Sequence, residues 1–148
     1  MIGHQFSEDL VKETIANSLT MIASDGELVN GKGHPRTAGT YSRVLGHYVR
    51  ETKTLTLMDA LRRMTLMPAQ RLEQCVPMMK NKGRIRVGAD ADITIFDAEK
   101  TIDKSTYDEP AKYSEGIMYV LVNGVLVVNN GQLKSDVAPG RPVRAPIK

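Results

Sequence analysis

The run Leu19-Thr-Met-Ile-Ala-Ser-Asp-Gly26 constrains this chain more than any other stretch. Residues 19–23 are apolar almost without interruption, the pattern of a strand covered on both faces of a parallel sheet. Ahead of them, Ser7 followed by Glu8 and Asp9 predicts a helix start, with a hydroxyl N-cap and carboxylates where the macrodipole favours them. Leu10 with Thr14 and Val11 with Ile15 carry helical spacing to residue 17. Helix 8–17 followed by strand 19–23 is an α-then-β unit, and a buried parallel strand needs parallel neighbours. The rest of the sequence offers no second unit of that kind. The run stops at Ser24-Asp25-Gly26, and α/β folds place their chemistry just beyond the carboxyl ends of such strands. Asp25 is therefore a candidate catalytic carboxylate. Asp-Gly is also an ordinary turn dipeptide, and on pattern alone the turn is the commoner use.

Residues 27–39 follow as a loop too long for a minimal connection, which is where functional loops are found. It contains Asn30, Gly31, Gly33 and Pro35, with His34 and Arg36 interleaved. His34 reads either as a surface histidine or as a site residue. Arg36 is either solvated or placed to grip an anionic group with two prongs. Tyr41, Val44, Leu45, Tyr48 and Val49 then predict a helix with one apolar face, leaving Arg43, His47 and Arg50 on the others and His47 in solvent. Thr56-Leu-Met-Asp59 fits a capping box for a helix lined by Leu57, Leu61 and Met64. Thr65, with Pro68 in the first turn, starts a shorter helix to Leu72. Met58, Met64 and Met67 read as core filler and Cys75 as a structural thiol.

From Lys82 the pattern turns to β. Ile85 and Val87 alternate with charges, Gly88-Ala-Asp90 marks a turn, and Ile93 and Ile95 alternate up to Asp97. A polar stretch, 98–114, leads to the apolar runs 117–122 and 125–128, joined by Asn123-Gly124, a strong hairpin signal. Asn130-Gly131 marks another turn. The carboxyl half is thus expected to be a small antiparallel β module.

Charged residues at 25% and apolar ones at 41% mark a globular chain, and a formal charge of +3 spread along it gives no footprint for nucleic acid. No apolar run approaches the roughly 20 residues of a membrane helix. One cysteine and no basic-then-apolar leader point to a reducing, cytoplasmic setting. His4, His34 and His47 fall in neither a His-x-His nor a His-Glu-x-x-His arrangement, so a self-sufficient zinc site is not expected.

Ser24-Asp25-Gly26, His34-Pro35-Arg36 with Gly39-Thr40-Tyr41-Ser-Arg43, Met64-Thr-Leu-Met-Pro68-Ala69, Gly83-Arg-Ile-Arg-Val-Gly88-Ala-Asp90-Ala-Asp92-Ile-Thr-Ile-Phe-Asp97 and Val122-Asn-Gly-Val125 occur in an order that resembles the carboxyl-terminal portion of the amidohydrolase superfamily. The resemblance covers nearly the whole chain. Within the superfamily it is most similar to the N-acyl-D-amino-acid deacylases, or D-aminoacylases, and the His-Pro-Arg loop sets it apart from dihydroorotase-like or hydantoinase-like cyclic amidases. It implies a fold of α/β plus β: residues 1–80 as the last strand and helices of a metal-dependent (β/α)8 barrel, and 81–148 as part of an antiparallel β-sandwich. It also implies amide hydrolysis by zinc-bound water, with Asp25 as general base close to the metal and His34 and Arg36 at the substrate. The small-molecule substrate implied is an N-acyl amino acid. Such a barrel takes about 250 residues, and the other zinc ligands are absent from this sequence. The chain alone is therefore expected to bind no zinc and to be inactive, as a fragment or as one piece of a split enzyme. The alternative is a non-catalytic structural module whose open edges recruit a complementary chain or a second copy.

Overall fold

A computed structural model describes residues 6–146; His4 lies outside them. Helix α1 is Glu8–Ala16, and Ser7 caps it as expected, its Oγ accepting the Leu10 N–H at 3.3 Å. Val11 and Ile15, four residues apart, pack against the core.

Residues 19–23 form no strand among the described residues. A strand exists only through a neighbour's N–H and C=O groups, and here the segment is tied chiefly to a helix, with Ile22 N–H donating to the Arg63 carbonyl at 3.2 Å. Ile22 is buried, whereas Leu19 is 86% exposed, so the run is not covered on both faces. What holds it is Arg63. Its guanidinium, 4% exposed, pairs with Asp59 at 3.0 Å and donates to the carbonyls of Ala16, Asn17 and Thr20. The first two are acceptors left open where α1 ends, and the third lies in the segment that follows.

The expected loop 27–39 contains a small hairpin, β1 (Leu28–Val29) paired antiparallel with β2 (Lys32–Gly33). Asn30 (φ 52) and Gly31 (φ 74) form the turn, left-handed at both positions as the tightest hairpins require. Helix α2 (Arg36–Arg43) starts earlier than the apolar spacing suggested and widens into a π-helix over Val44–Glu51. Val44, Leu45 and Tyr48 are buried and Val49 packs against the core, as the apolar spacing predicts, while Tyr41, in α2, is 48% exposed. His47 is not a solvated side chain. It lies between Glu8 of α1 at 3.2 Å and Glu51 at 2.9 Å, joining the two helices.

Helix α3 (Leu57–Met64) takes its cap from Thr56, whose Oγ1 accepts the Asp59 N–H at 3.2 Å, while the Asp59 carboxylate turns to Arg63 instead of closing a box. Helix α4 (Leu66–Leu72) has no side-chain cap, because Thr65 donates its hydroxyl back to Leu61 of α3 at 2.7 Å. Met64 packs on the core, but Met58 is 72% exposed, and Cys75 is an exposed free thiol. The core consists of Ile22, Val44, Tyr48, Leu55 and Ala60, all from the amino half.

The carboxyl half is an antiparallel meander, β3 (Ile93–Phe96), β4 (Ile117–Val122), β5 (Val125–Asn129) and β6 (Gln132–Leu133), paired in that order. Asn123-Gly124 and Asn130-Gly131 turn it, with φ positive at all four residues. Ile85 and Val87 join no strand and are 89% and 103% exposed. The Gly88-Ala-Asp90-Ala-Asp92 segment secures the first hairpin: Asp92 accepts the Asn123 N–H at 2.8 Å, Ala91 accepts the Gly124 N–H at 2.9 Å, and Lys82 bridges Asp90 and Asp92 at 3.0 and 2.5 Å. No residue of β3 to β6 is buried.

The two halves meet where the connection between β3 and β4 crosses α2 and the π-helix. Arg50 donates to the carbonyls of Ala98 and Thr101 at 3.1 and 2.7 Å. Glycine is required at the two crossing points. A Cβ at Gly39 would lie 2.4 Å from Ser105 Oγ, and one at Gly46 would lie 2.7 Å from the Thr101 carbonyl oxygen.

Candidate functional site

The turn that ends the first segment places Asp25. Its φ is 46°, in the left-handed region that aspartate tolerates better than most residues. Gly26 lies directly under the first turn of α2, where a Cβ would come within 2.4 Å of Thr37 Cα. Thr37 Oγ1 fastens the contact by donating to the Glu27 carbonyl at 3.2 Å. With the turn pressed onto α2 in this way, Asp25 Oδ2 sits 2.8 Å from a terminal nitrogen of Arg36.

The Asp25 side chain is 85% exposed and that of Arg36 46%. An ion pair this exposed contributes at most about 1 kcal/mol. Either partner can therefore exchange the other for a ligand at little cost. Asp25, Arg36 and His34 line one open cleft, so the three residues singled out from the sequence do converge. His34 and Arg36 also line a second cleft of about 430 Å³, closed on its far side by Tyr107 and Asp103.

His34 is fixed on both ring nitrogens. Nδ1 accepts the Arg36 backbone N–H at 3.1 Å, capping the start of α2, and Nε2 lies 3.2 Å from the Tyr107 hydroxyl. The rings meet edge to face, 5.1 Å between centroids at 75°. Burial, and next the charge of Arg36, hold the imidazole below the usual histidine range. A neutral ring that accepts at Nδ1 carries its proton on Nε2 and donates it to Tyr107. Tyr107 was invisible in the sequence, in an aperiodic polar stretch far from His34; only the His-Tyr proximity in space reveals it. Nearby, Ser105 Oγ donates to the Pro35 carbonyl at 2.8 Å and Asp103 lies 3.7 Å from Arg43.

Among the described residues no group of three or more His, Cys, Asp or Glu side chains is arranged to hold a metal ion. The carboxylates of the open cleft are Asp25 and Glu27, and His34 commits Nδ1 to the Arg36 amide. That donor set does not make a zinc centre, which takes at least three protein ligands. No helix among the described residues is long and apolar enough to cross a membrane.

An aspartate at the end of a core segment, paired with the arginine of a His-Pro-Arg loop and followed by an antiparallel module, matches one family over most of the chain. Residues 5–128 match the Amidohydrolase family, and the chain belongs to it. Among its relatives, N-acyl-D-glutamate deacylase of Alcaligenes xylosoxydans xylosoxydans is 40% identical over 137 residues, 93% of this chain and 27% of that protein. D-aminoacylase of the same organism is 36% identical over 126 residues, 85% of this chain and 25% of that protein. Among solved structures, N-acyl-D-glutamate deacylase of Bordetella bronchiseptica, complexed with zinc and a phosphonate mimic of the tetrahedral intermediate, superimposes with a TM-score of 0.83 at 39% identity. The match covers 95% of this chain and 28% of that one. A D-aminoacylase with a binuclear metal centre superimposes at 0.80 and 32% identity, over 88% of this chain and 27% of that one. The chain thus spans about a quarter of the length of the relatives it matches.

Proposed function

We propose that this chain is the carboxyl-terminal part of a zinc-dependent amidohydrolase that hydrolyses the amide bond of N-acyl-D-amino acids, and that it is inactive by itself. The observation that carries the reading is the 2.8 Å contact between Asp25 and Arg36 at the edge of an open cleft. A carboxylate and a guanidinium so placed divide the work of amide hydrolysis. Asp25 takes a proton from the attacking water and returns it to the leaving nitrogen. Arg36 lets go of Asp25 and grips the carboxylate of the amino acid with its two-pronged fork. His34 borders the same cleft and contacts the substrate with its ring. Zinc, if held by ligands outside this chain, would polarise the attacking water.

In this reading residues 1–80 complete a (β/α)8 barrel, with 19–23 as its last strand, and 81–148 form part of a β-sandwich. The support is physical: Leu19, Ile85 and Val87 lie open, and the four-stranded sheet buries neither face. The exposed free thiol of Cys75 suits a reducing cytoplasm. The relatives' names favour a linear amide over a cyclic one.

The test is complementation. The chain is mixed with the amino-terminal three-quarters of the Bordetella relative, with zinc and N-acetyl-D-glutamate. Hydrolysis is expected from the mixture, from neither part alone, and not when Asp25→Asn replaces the parent. Turnover by the isolated chain, or by the Asp25→Asn mixture, overturns the assignment. A second reading rests on the same open segments: a non-catalytic module that pairs with a complementary chain or with itself. A stable complex that stays inactive with zinc and substrate favours it.

A further inference from the structure

The contact that crosses from the carboxyl half into the candidate site ends on no substrate group. It ends on His34, and His34 ends on the backbone of Arg36. We propose that Tyr107 is a positioning residue for Arg36, acting through the imidazole of His34: the Tyr107 oxygen holds Nε2–H, which leaves Nδ1 as the acceptor that fixes the Arg36 amide and the start of α2. The inference rests on the reading of Arg36 as the carboxylate grip.

Three observations join in it. First, α2 has Pro35 at its N-cap and no side-chain cap of the usual kind; the His34 and Pro35 carbonyls take the Thr37 and Ala38 amides, and the Arg36 amide is left to another acceptor. His34 Nδ1 is that acceptor. Second, an imidazole has two tautomers and only one accepts at Nδ1; the Arg36 amide, which can only donate, selects it, and the Tyr107 oxygen, 3.2 Å from Nε2, holds the ring in that orientation by receiving the proton there. Third, the stretch that carries Tyr107 is anchored on the same helix end independently, by the Ser105 hydroxyl on the Pro35 carbonyl and by the close approach at Gly39. The phenol is therefore delivered to the ring by rigid backbone. The arrangement sets the aim of a guanidinium from a segment more than seventy residues away in sequence. Carboxylate affinity then depends on the docking of the carboxyl half.

The experiment uses the isolated chain. Binding of N-acetyl-D-glutamate is followed by NMR titration, and the His34 tautomer is read from its ring nitrogen shifts. Tyr107→Phe, a conservative change at a half-exposed side chain, should leave the helical circular dichroism intact. It should weaken binding about three- to tenfold, the worth of one hydrogen bond, and move the His34 Nε2 shift as its acceptor is lost, while the Arg36 amide keeps the Nε2–H tautomer. His34→Asn keeps an acceptor for the Arg36 amide through an Asx turn and cuts the link to Tyr107. In that background Tyr107→Phe should have no further effect. The proposal is overturned if Tyr107→Phe weakens binding equally with Asn at position 34, which would mean that Tyr107 touches the ligand itself. It is also overturned if binding depends on Arg36 but not on Tyr107. If Arg36→Gln binds as the parent does, the carboxylate-grip reading has failed; an unchanged His34 Nε2 shift in Tyr107→Phe then overturns the positioning role separately.

Discussion

Replacing Arg63 by methionine tests whether one buried guanidinium holds the segment that leads to Asp25. Methionine keeps much of the stem volume and removes every donor. In the parent those donors meet the carbonyls of Ala16, Asn17 and Thr20, the Thr20 hydroxyl, and the Asp59 carboxylate. Loss of a hydrogen bond to a charged group costs about 1.5–3 kcal/mol when its partner is left dry. Ala16 and Asn17 are exposed residues, so their carbonyls recover water and lose less. Asp59, with its side chain 33% exposed, likewise keeps some hydration. The sum expected is about 3–5 kcal/mol, the range for breaking a buried pair from one side. That is a fifth or more of a stability of about 5–15 kcal/mol. Arg63→Lys retains the charge but lacks the planar fork, and should recover about half of the loss. Urea unfolding followed by far-ultraviolet circular dichroism measures both variants. If Arg63→Met stayed within about 1 kcal/mol of the parent at an unchanged urea slope, the reasoning would be refuted, since burial would then have been masking a poorly solvated charge.

Gly46→Ala drives a methyl group to 2.7 Å from the Thr101 carbonyl oxygen, and overpacking of that kind costs about 1–3 kcal/mol; a urea midpoint equal to the parent's would contradict the close approach. The Asn123 backbone N–H, and next the Lys82 ammonium, hold Asp92 below the usual carboxylate range. Its stabilising contribution is therefore full above about pH 4 and is lost as pH falls through the depressed value. Asp92→Asn should flatten the acid limb of a stability-against-pH curve, and an unchanged limb would show that the hairpin does not rest on that carboxylate. Lys82 is raised by its hydrogen bond to Asp92, so its contribution holds below the usual lysine range and fades as pH climbs past it; Lys82→Met should remove that alkaline loss.

What could be read from the sequence was local. Ser7 and Thr56 announce their caps within three residues, and Asn123-Gly124 and Asn130-Gly131 announce their turns within two, because the physics of each is completed by its own neighbours. Asn30-Gly31 carried the same signal, but the polar residues around it made the hairpin look like loop. Asp25, His34 and Arg36 were singled out because a strand-like run ends on one and the long loop after it holds the others. The π-helix was not legible, since residues spaced four apart suit either a standard or a widened turn over so short a stretch. Residues 19–23 and the pair Ile85 and Val87 have the composition of strands, yet strand structure needs an edge to pair with. His47 was misjudged because one of its two carboxylates belongs to α1. Tyr107 was missed for the same reason on a longer scale.

The three Asn-Gly turns also give the chain an uneven rate of chemical ageing. Asparagine before glycine loses its side-chain amide when the glycine nitrogen swings round to attack it. At Gly124 and Gly131 that nitrogen is occupied, donating to Ala91 and Met118 at 2.9 and 3.0 Å, and the Asn123 side chain is itself tied to the Pro139 carbonyl. Gly31 sits at the tip of a two-residue hairpin with nothing within 4 Å of where a Cβ would stand. Spontaneous conversion to aspartate or isoaspartate thus concentrates at Asn30, placing a new negative charge on the hairpin that leads into His34 and Arg36, while the carboxyl-terminal sheet keeps its amides.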